Sequence, residues 1–340
     1  MNARKPVWAQ LTPLPAERLA ALARSYEVAG VEGIWSPQMF GAPFATLAAA
    51  ATVTEQIKLG TGIALAFVRS PLETACSAID LDLISGGRVV LGLGSSAESQ
   101  IEGSFGSRYG KPLAHMREIV SMIRTIVASG HSGELTLLEG DYHRLDLSRF
   151  RLIAPPVRSE IPIYLPAVFE KACAQAAGIA DGLLGHPLWN DAWIAGPVRH
   201  AIRRGLDIAG RAWRNFTLNL SMFVTISDDR GQALEDTRPT VAYYSQNPQY
   251  LRYFEGIGFG REASAIQAAF AAGDFASMTV ACSDEMFESI AVIGSADDVR
   301  RRVLSRADKA DAITPVVPHY GLSEEKSLAY ASRIADLFYG

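Results

Sequence analysis

The sequence predicts a (β/α)8 TIM barrel with insertions. Short apolar runs that end in small residues alternate with amphipathic, helix-like stretches, as in IKLGTGIALA from Ile57 and RVVLGLGSS from Arg88. Buried parallel strands read as near-continuous apolar runs because helices cover both faces of the sheet. The chain of 340 residues suits one such barrel, since these barrels are typically about 250 residues long and become longer with insertions. In this fold the active site lies where the strands end.

The predicted strands share an apolar run followed by a turn-forming or small residue. They cover residues 7–11, 33–36, 58–64, 89–94, 161–166, 182–185, 218–226 and 312–317. The clearest helical stretches cover residues 16–29, 43–54, 71–84, 113–129 and 324–339. Gly30 is placed as a C-cap of the first helix, and Pro71 suits the first position of the third. This alternation predicts successive parallel βα units.

Two segments interrupt the repeat. Residues 130–158 are polar and contain the turn EGD between two extended stretches, which predicts a hairpin-containing insertion. Residues 246–288 lie between the last two predicted strands, and their length and glycine content predict an insertion with helices of its own that caps the site. Because no shift in composition marks a second domain, residues 1–340 are predicted to form a single barrel domain.

Composition excludes several classes of function. A net charge of −4, with 49% hydrophobic and 20% charged residues, gives no long-range attraction to nucleic acid or to an anionic membrane. The first residues lack the apolar core of a signal peptide and no run approaches a membrane span, so we expect a cytoplasmic protein. The three cysteines are odd in number and far apart, and no cluster of histidines and carboxylates has ligand spacing. We therefore expect neither a disulfide framework nor a metal site.

Six blocks of sequence occur in a characteristic order. They are GVEGIWS at 30–36, AAAATVTEQIKLGTGI at 48–63, RSPL at 69–72, LDLISGGRVVLGLGS at 81–95, YGKPLAHMRE at 109–118, and IPIYLPA at 161–167 followed by ADGLL at 180–184. Together these blocks resemble the bacterial luciferase-like superfamily. The resemblance implies a barrel that uses reduced FMN as a monooxygenase cofactor or the deazaflavin F420 as a hydride carrier. F420 is slightly preferred, because the short barrel and the Thr-Gly-Ile bulge look most like the F420-dependent members.

The resemblance also implies a cofactor site at the strand ends. In the family, a bulge after the third strand contains a non-prolyl cis peptide and supports the flavin ring. In this sequence the cis peptide would join Gly62 to Ile63. A glycine after the fourth strand lets the backbone approach a planar ring, neighbouring hydroxyls donate hydrogen bonds, and the loop after the fifth strand suits the cofactor phosphate. The residues assigned to cofactor binding are Thr61, Gly62, Ile63, Gly94, Ser95, Ser96, Ala167, Val168, Phe169 and Gly185.

The candidate catalytic residues are Gln38, His186 and His319. Many F420-dependent relatives place an acidic residue and a histidine after the second strand, where this chain has Gln38 and Met39. Neither is a general acid or base at neutral pH. His186 follows the sixth predicted strand and His319 the eighth, so both are candidates for moving protons on the predicted site face.

Three functions stay open on the sequence. The first is an F420-dependent oxidoreductase acting on a small organic substrate. The second is an FMN-dependent monooxygenase supplied by a separate flavin reductase, and a separate F420 reductase is the corresponding partner for the first. The third is a non-catalytic flavin- or F420-binding barrel, which the missing acid and histidine pair favours. A homodimer is expected because dimers are common among the relatives.

Overall fold

The computed structural model describes residues 5–38, 41–152 and 155–339. Its centre is a ten-stranded sheet, and a separate two-stranded sheet lies outside it. The strands are β1 Trp8–Gln10, β2 Gly33–Ser36, β3 Lys58–Thr61, β4 Ala64–Leu65, β5 Val89–Gly94, β6 Leu137–Glu139, β7 Arg144–Asp146, β8 Ile163–Ala167, β9 Gly182–Gly185, β10 Thr217–Ile226, β11 Val292–Gly294 and β12 Ala312–Val316.

The main sheet curls into a barrel of parallel strands. Its staves are β1, β2, β3, β5, β8, β9, β10 and β12, each paired in parallel with the next. A parallel bridge between Val7 and Ile313 joins the two ends, and the Ile313 amide donates to the Pro6 carbonyl at 3.0 Å. The predicted (β/α)8 TIM barrel is confirmed.

Helices follow the strands along the chain. They are α1 Ala16–Val28, α2 Phe44–Ala51, α3 Pro71–Ser85, α4 Glu98–Gly103, α5 Pro112–Ser129, α6 Glu170–Ile179, α7 Asp191–Trp193, α8 Arg199–Ile208, α9 Arg230–Ser245, α10 Leu251–Gly256, α11 Gly260–Ala271, α12 Phe275–Ala281, α13 Asp284–Ile290, α14 Ala296–Ala307 and α15 Glu324–Phe338. Helix α3 illustrates the local rules: the Ser70 side chain accepts from the Leu72 amide, and Gly86 ends the helix at φ 68°. Within the described ranges, no helix is both long enough and apolar enough to cross a membrane.

The structure departs from the predicted elements in two places. The strand predicted over 58–64 is interrupted after Thr61, the peptide bond between Gly62 and Ile63 is cis, and β4 begins at Ala64. Strand β11, which the sequence did not predict, pairs with the last residues of β10. The segment 246–288 contains α10 to α12 and the first five residues of α13, which ends at Ile290. Strands β6 and β7 form an antiparallel hairpin within 130–158.

Large aromatic side chains fill the barrel below the strand ends. Trp8 stacks on Trp35 with ring centroids 4.0 Å apart, and Tyr164 lies 5.8 Å from Trp35. Glycines on neighbouring strands make room for these rings: a Cβ on Gly60 would lie 2.1 Å from the Trp35 ring, and one on Gly182 would lie 2.6 Å from Tyr164. The barrel is therefore a packed core at this level rather than a channel.

Candidate active site

The barrel opens above this aromatic layer. Side chains alternate between the two faces of a strand, so residues two positions apart face the same way. Trp8 and Tyr164 face inward, and therefore Gln10 and Pro166 also face inward. Ser221 of β10 also faces inward, because its neighbours Leu220 and Met222 are buried in the surrounding core. Gln10 is exposed and the other two are half-buried, although the strands around them are covered by helices. These accessible positions mark a mouth at the carboxyl ends of the strands.

A cis-peptide bulge forms one wall of the mouth. The peptide bond between Gly62 and Ile63 is cis, as the resemblance implies. The Thr61 hydroxyl donates to the Gly92 carbonyl at 2.7 Å and ties the bulge to β5. A Cβ on Gly94 would lie 1.8 Å from Cδ1 of Ile63, so the half-buried Ile63 side chain occupies the space that glycine leaves. The bulge and Gly94 together place an aliphatic side chain at the mouth.

Gln38 lies beside this bulge and is 8% exposed. Its Oε1 accepts from the Leu65 amide at 2.9 Å and from Nη1 of Arg69 at 2.9 Å. Its Nε2 is buried and has no hydrogen-bond partner among the described residues. The oxygen is therefore committed to the protein, whereas the nitrogen can still donate. Met39, the next residue in the predicted pair, lies outside the described residues.

The turn after β5 is held in an unusual conformation. Ser96 has φ 56°, in the left-handed region that non-glycine residues rarely adopt. The Tyr109 hydroxyl donates to the Ser96 carbonyl at 3.0 Å, and the Ser96 hydroxyl donates to Oε1 of Gln100. The Ser95 hydroxyl donates to the same Ser96 carbonyl at 3.3 Å. Both serines are half-buried next to Gly94.

The loop after β8 is anchored by two tryptophans. Nε1 of Trp189 and Nε1 of Trp193 both donate to the Val168 carbonyl at 3.2 Å. Ala167 is buried, whereas Val168 and Phe169 are half-buried. Helix α6 begins directly after Phe169 without a side-chain cap. The amides of its first turn thus lack intrahelical acceptors and point toward the site face, an arrangement that suits an anion.

Gly185, at the end of β9, faces the surrounding core. A Cβ at this position would lie 2.8 Å from Cδ2 of Leu220 and 2.9 Å from the Trp189 ring. Close packing therefore explains why this residue is glycine. Its assignment to cofactor binding stays a prediction.

The two predicted histidines meet at one aromatic ring. The Tyr244 ring centroid lies 6.3 Å from that of His186 and 5.9 Å from that of His319, in edge contacts. Burial lowers the pKa of His186 to about 4, so this ring is neutral at pH 7. His319 is more exposed, and partial burial of its ring also lowers its pKa. The structure therefore brings together two side chains that are 133 positions apart in the sequence.

His186 also contacts Tyr250. The Leu188 amide donates to Nδ1 of His186 at 3.3 Å, and Nε2 of His186 lies 3.3 Å from the Tyr250 hydroxyl. Tyr109, Tyr244 and Tyr250 did not appear among the sequence-predicted site residues. The run YYSQNPQY at 243–250, at the start of the irregular segment, is the sequence signal that could have indicated two of them.

Within the described residues, no group of three or more histidine, cysteine, aspartate or glutamate side chains is arranged to hold a metal ion. The polar groups at the mouth include the Gln38 amide, the hydroxyls of Ser95 and Ser96 and the imidazoles of His186 and His319. Such groups donate and accept hydrogen bonds without adding charge.

A closed parallel barrel with an open mouth and a cis-peptide bulge after its third stave defines a class of β/α-barrel proteins with a site at the strand ends. The model of the luciferase-like monooxygenase family matches residues 2–311, and the chain belongs to this family.

The proteins similar to this chain include some named for F420 and one solved with FMN. A protein of Mycobacterium tuberculosis, named provisionally as a coenzyme F420-dependent oxidoreductase, is 28% identical over 329 residues, covering 92% of this chain and 93% of that protein. The structure of the coenzyme F420-dependent tetrahydromethanopterin reductase from Methanopyrus kandleri has a TM-score of 0.78 at 24% identity, covering 98% of both chains. The oxygenating constituent of 3,6-diketocamphane monooxygenase from Pseudomonas putida, solved with FMN, has a TM-score of 0.68 at 16% identity, covering 99% of this chain and 98% of that one.

Proposed function

We propose that this protein is an oxidoreductase that uses F420 to transfer two electrons to or from a small organic substrate. The observation that carries the proposal is the Ile63 side chain, which the cis bulge places at the mouth over a glycine that leaves it room. An aliphatic side chain in an open mouth suits one face of a planar, tricyclic ring. The family membership and the relative named provisionally as F420-dependent support the choice of cofactor.

The residues present fit such a cofactor. Ile63 would contact the ring, and Gly94 leaves the space that the Ile63 side chain occupies. The Ser95 hydroxyl and the first amides of α6 would hold the polar tail, since an uncapped helix N-terminus favours phosphate. Gln38 would donate from Nε2 to a carbonyl oxygen of the ring or of the substrate, because its own oxygen is already occupied. When bound, F420 supplies or takes up a hydride.

Proton transfer in this proposal takes place among the side chains around Tyr244, which include both histidines. His186 and His319 share the Tyr244 ring, so both face the same part of the mouth. Neutral imidazoles donate and accept hydrogen bonds, so they can position the group that exchanges a proton with the substrate oxygen. Gln38 would position and polarise the carbonyl oxygen to which it donates. It would not transfer a proton, since an amide has no proton to exchange at neutral pH.

The second candidate is an FMN-dependent monooxygenase that receives reduced flavin from a separate reductase. The likeness to a monooxygenase fold solved with FMN favours it, and the same cradle at Ile63 and Gly94 suits either ring. A non-catalytic cofactor-binding barrel is the third, because Gln38 stands where many relatives have an acidic residue. We also propose a cytoplasmic homodimer, which light scattering after size exclusion would test.

The experiment is a comparison of the affinities for F420, reduced F420, FMN and reduced FMN. Tight binding of F420 with no binding of FMN is expected. Oxygen uptake with reduced FMN would instead support the monooxygenase. Binding without turnover on any of a panel of alcohols and ketones would favour the non-catalytic barrel, and failure to bind all four forms would contradict the proposal.

A further inference from the structure

Two tyrosines of the segment between β10 and β11 contact the loop that carries His186. The Tyr253 hydroxyl donates to the Leu188 carbonyl at 2.6 Å and accepts from the Asn190 amide at 3.1 Å. Tyr250 lies three positions earlier and reaches Nε2 of His186 at 3.3 Å. Positions three apart lie on one face of a helical turn, so both side chains dock on the same loop.

The turn that carries Tyr250 is itself fixed. The Asn247 side chain accepts from the Gln249 amide at 3.0 Å and begins the short helical turn Pro248–Tyr250. Nε2 of Gln267, on α11, donates to the Asn247 carbonyl at 3.2 Å. Tyr250 is therefore held by two elements of the segment predicted as a cap, and its position does not depend on its own side chain alone.

The hydrogen bond between His186 and Tyr250 has a defined direction. Nδ1 of His186 accepts from the Leu188 amide, so the neutral ring carries its proton on Nε2. Nε2–H then donates to the Tyr250 hydroxyl oxygen. Because that oxygen accepts from His186, the Tyr250 O–H is left to donate elsewhere.

The groups around this hydroxyl are uncharged at neutral pH. Burial, together with the nearby hydroxyls of Tyr244 and Tyr109, raises the pKa of Tyr250 to about 12. Burial also raises the pKa of Tyr244. Tyr109 links this region to the turn after β5, because its hydroxyl donates to the Ser96 carbonyl. The free O–H of Tyr250 thus belongs to a neutral, aromatic environment that adjoins the proposed cofactor cradle.

We propose that Tyr250 is a catalytic residue that donates its O–H to the oxygen of a neutral carbonyl substrate, and that His186 is the residue that positions it. The inference rests on the proposed function, in which reduced F420 is the reductant. The carbonyl carbon accepts the hydride, the C=O π bond opens, and the carbonyl oxygen takes the proton from the Tyr250 hydroxyl. Tyr250 then recovers a proton from solvent, so the product is the alcohol.

The test uses acetophenone and ethylbenzene as probes, since they share an aromatic ring and only the first has a carbonyl oxygen. Their dissociation constants are measured by saturation-transfer NMR on the full chain. One hydrogen bond from a buried hydroxyl corresponds to about tenfold in affinity, so wild type is expected to prefer acetophenone by about that factor. Tyr250→Phe is expected to abolish the preference.

Two further variants separate a direct role from a structural one. Tyr243→Phe is the matched control, because Tyr243 neighbours the cluster but stacks on Tyr320 with ring centroids 4.2 Å apart. It is expected to keep the full preference. His186→Phe is expected to weaken the preference, and His186→Gln, whose amide still donates, is expected to restore part of it. Circular dichroism establishes that each variant is folded.

The outcomes distinguish the two proposals. No preference in wild type, or an unchanged preference in folded Tyr250→Phe, overturns the role of Tyr250 even if F420 binds. A preference that Tyr250→Phe abolishes, in a protein that fails to bind F420, supports the carbonyl site and contradicts the proposed cofactor. With reduced F420 as the reductant, Tyr250→Phe is expected to lower kcat for acetophenone reduction at least tenfold while the affinity for reduced F420 stays unchanged. An unchanged kcat overturns the role of Tyr250.

Discussion

Gly92 and Gly94 of β5 have different neighbours on the cis bulge. A Cβ on Gly92 would lie 1.9 Å from the Thr61 carbonyl oxygen, which is backbone and cannot rotate away. A Cβ on Gly94 would lie 1.8 Å from Cδ1 of Ile63, which is the flexible end of a side chain. Substitution at Gly92 therefore strains the barrel, whereas substitution at Gly94 moves the side chain proposed to support the cofactor.

We expect Gly94→Ala to weaken cofactor binding at least tenfold while the free energy of unfolding falls by no more than about 1 kcal/mol. Gly92→Ala is expected to destabilise the fold by about 2–3 kcal/mol or more, because the clash is with backbone. Urea unfolding and fluorescence titration measure the two effects. Gly103→Ala is the control, since no atom lies within 4 Å of a Cβ there. Cofactor affinity equal to wild type in Gly94→Ala would contradict the proposal that Ile63, above Gly94, supports the cofactor.

Gly62 of the cis bulge also contacts the barrel core. A Cβ on Gly62 would lie 2.6 Å from Cβ of Trp35. Gly62 is therefore also required by packing inside the barrel. A substitution at this position would disturb the fold and the site together, which makes Gly94 the better probe.

His186 gives the folded protein a specific dependence on pH. Its pKa is lowered from 6.5 to about 4 by burial, so between these values the unfolded chain binds more protons at this residue than the folded chain does. Stability is then expected to rise with pH across this window, by as much as about 3 kcal/mol from this residue, and to be independent of His186 above it.

Urea unfolding of wild type and His186→Gln at pH 5 and pH 7 measures this contribution. The wild-type protein should lose more stability on going to pH 5 than the variant does. Titrations of all other groups are common to both proteins and cancel in the comparison. Equal losses would mean that His186 titrates normally in the folded state.

At the scale of elements, the loop after β8 depends on the segment after β9. Two indole N–H groups converge on the Val168 carbonyl, so Trp189 and Trp193 hold the loop that precedes α6. The anion site proposed at the start of α6 is therefore shaped by residues that follow the next strand. Trp189 is 2% exposed, whereas Trp193 is half-buried and more easily substituted.

We expect Trp193→Phe to weaken cofactor binding severalfold, with a loss of stability of about 1 kcal/mol, because one hydrogen bond is removed while the aromatic ring is kept. Chemical denaturation and cofactor titration test this expectation. Trp213→Phe, at a position whose indole N–H donates to Asp311 instead, is the control and should leave cofactor affinity unchanged. An unaltered affinity in Trp193→Phe would mean that the loop is positioned by other contacts.

The strands and helices that the sequence predicted well have strong local signals. The run from Val89 to Gly94 is buried throughout, and α3 has both its serine cap and its terminal glycine. β11 escaped prediction because it has three residues and is specified by pairing with the distant β10. Tyr250 escaped for a related reason: nothing in its neighbours indicates that it reaches His186, 64 positions earlier. Contacts of this kind depend on closure of the barrel.

At the scale of the whole molecule, the residues that fill the barrel and those proposed to take part in the reaction lie at different levels. The stacked rings of Trp8 and Trp35 and the tilted ring of Tyr164 fill its interior, and the accessible polar groups follow at the strand ends. One side of the mouth carries the bulge and Gly94, and the elements after β9 and β10 contribute His186 and Tyr250. The proposed ring would lie between an apolar support and a set of neutral hydrogen-bonding groups.

A crystal structure of the protein with bound F420 tests the central claim most directly. The ring is expected at the carboxyl ends of the strands, in van der Waals contact with Ile63, at about 4 Å. Its polar tail should extend toward the turn at Ser95 and the start of α6. A ring bound elsewhere, or one at the mouth with no contact to Ile63, would contradict the account.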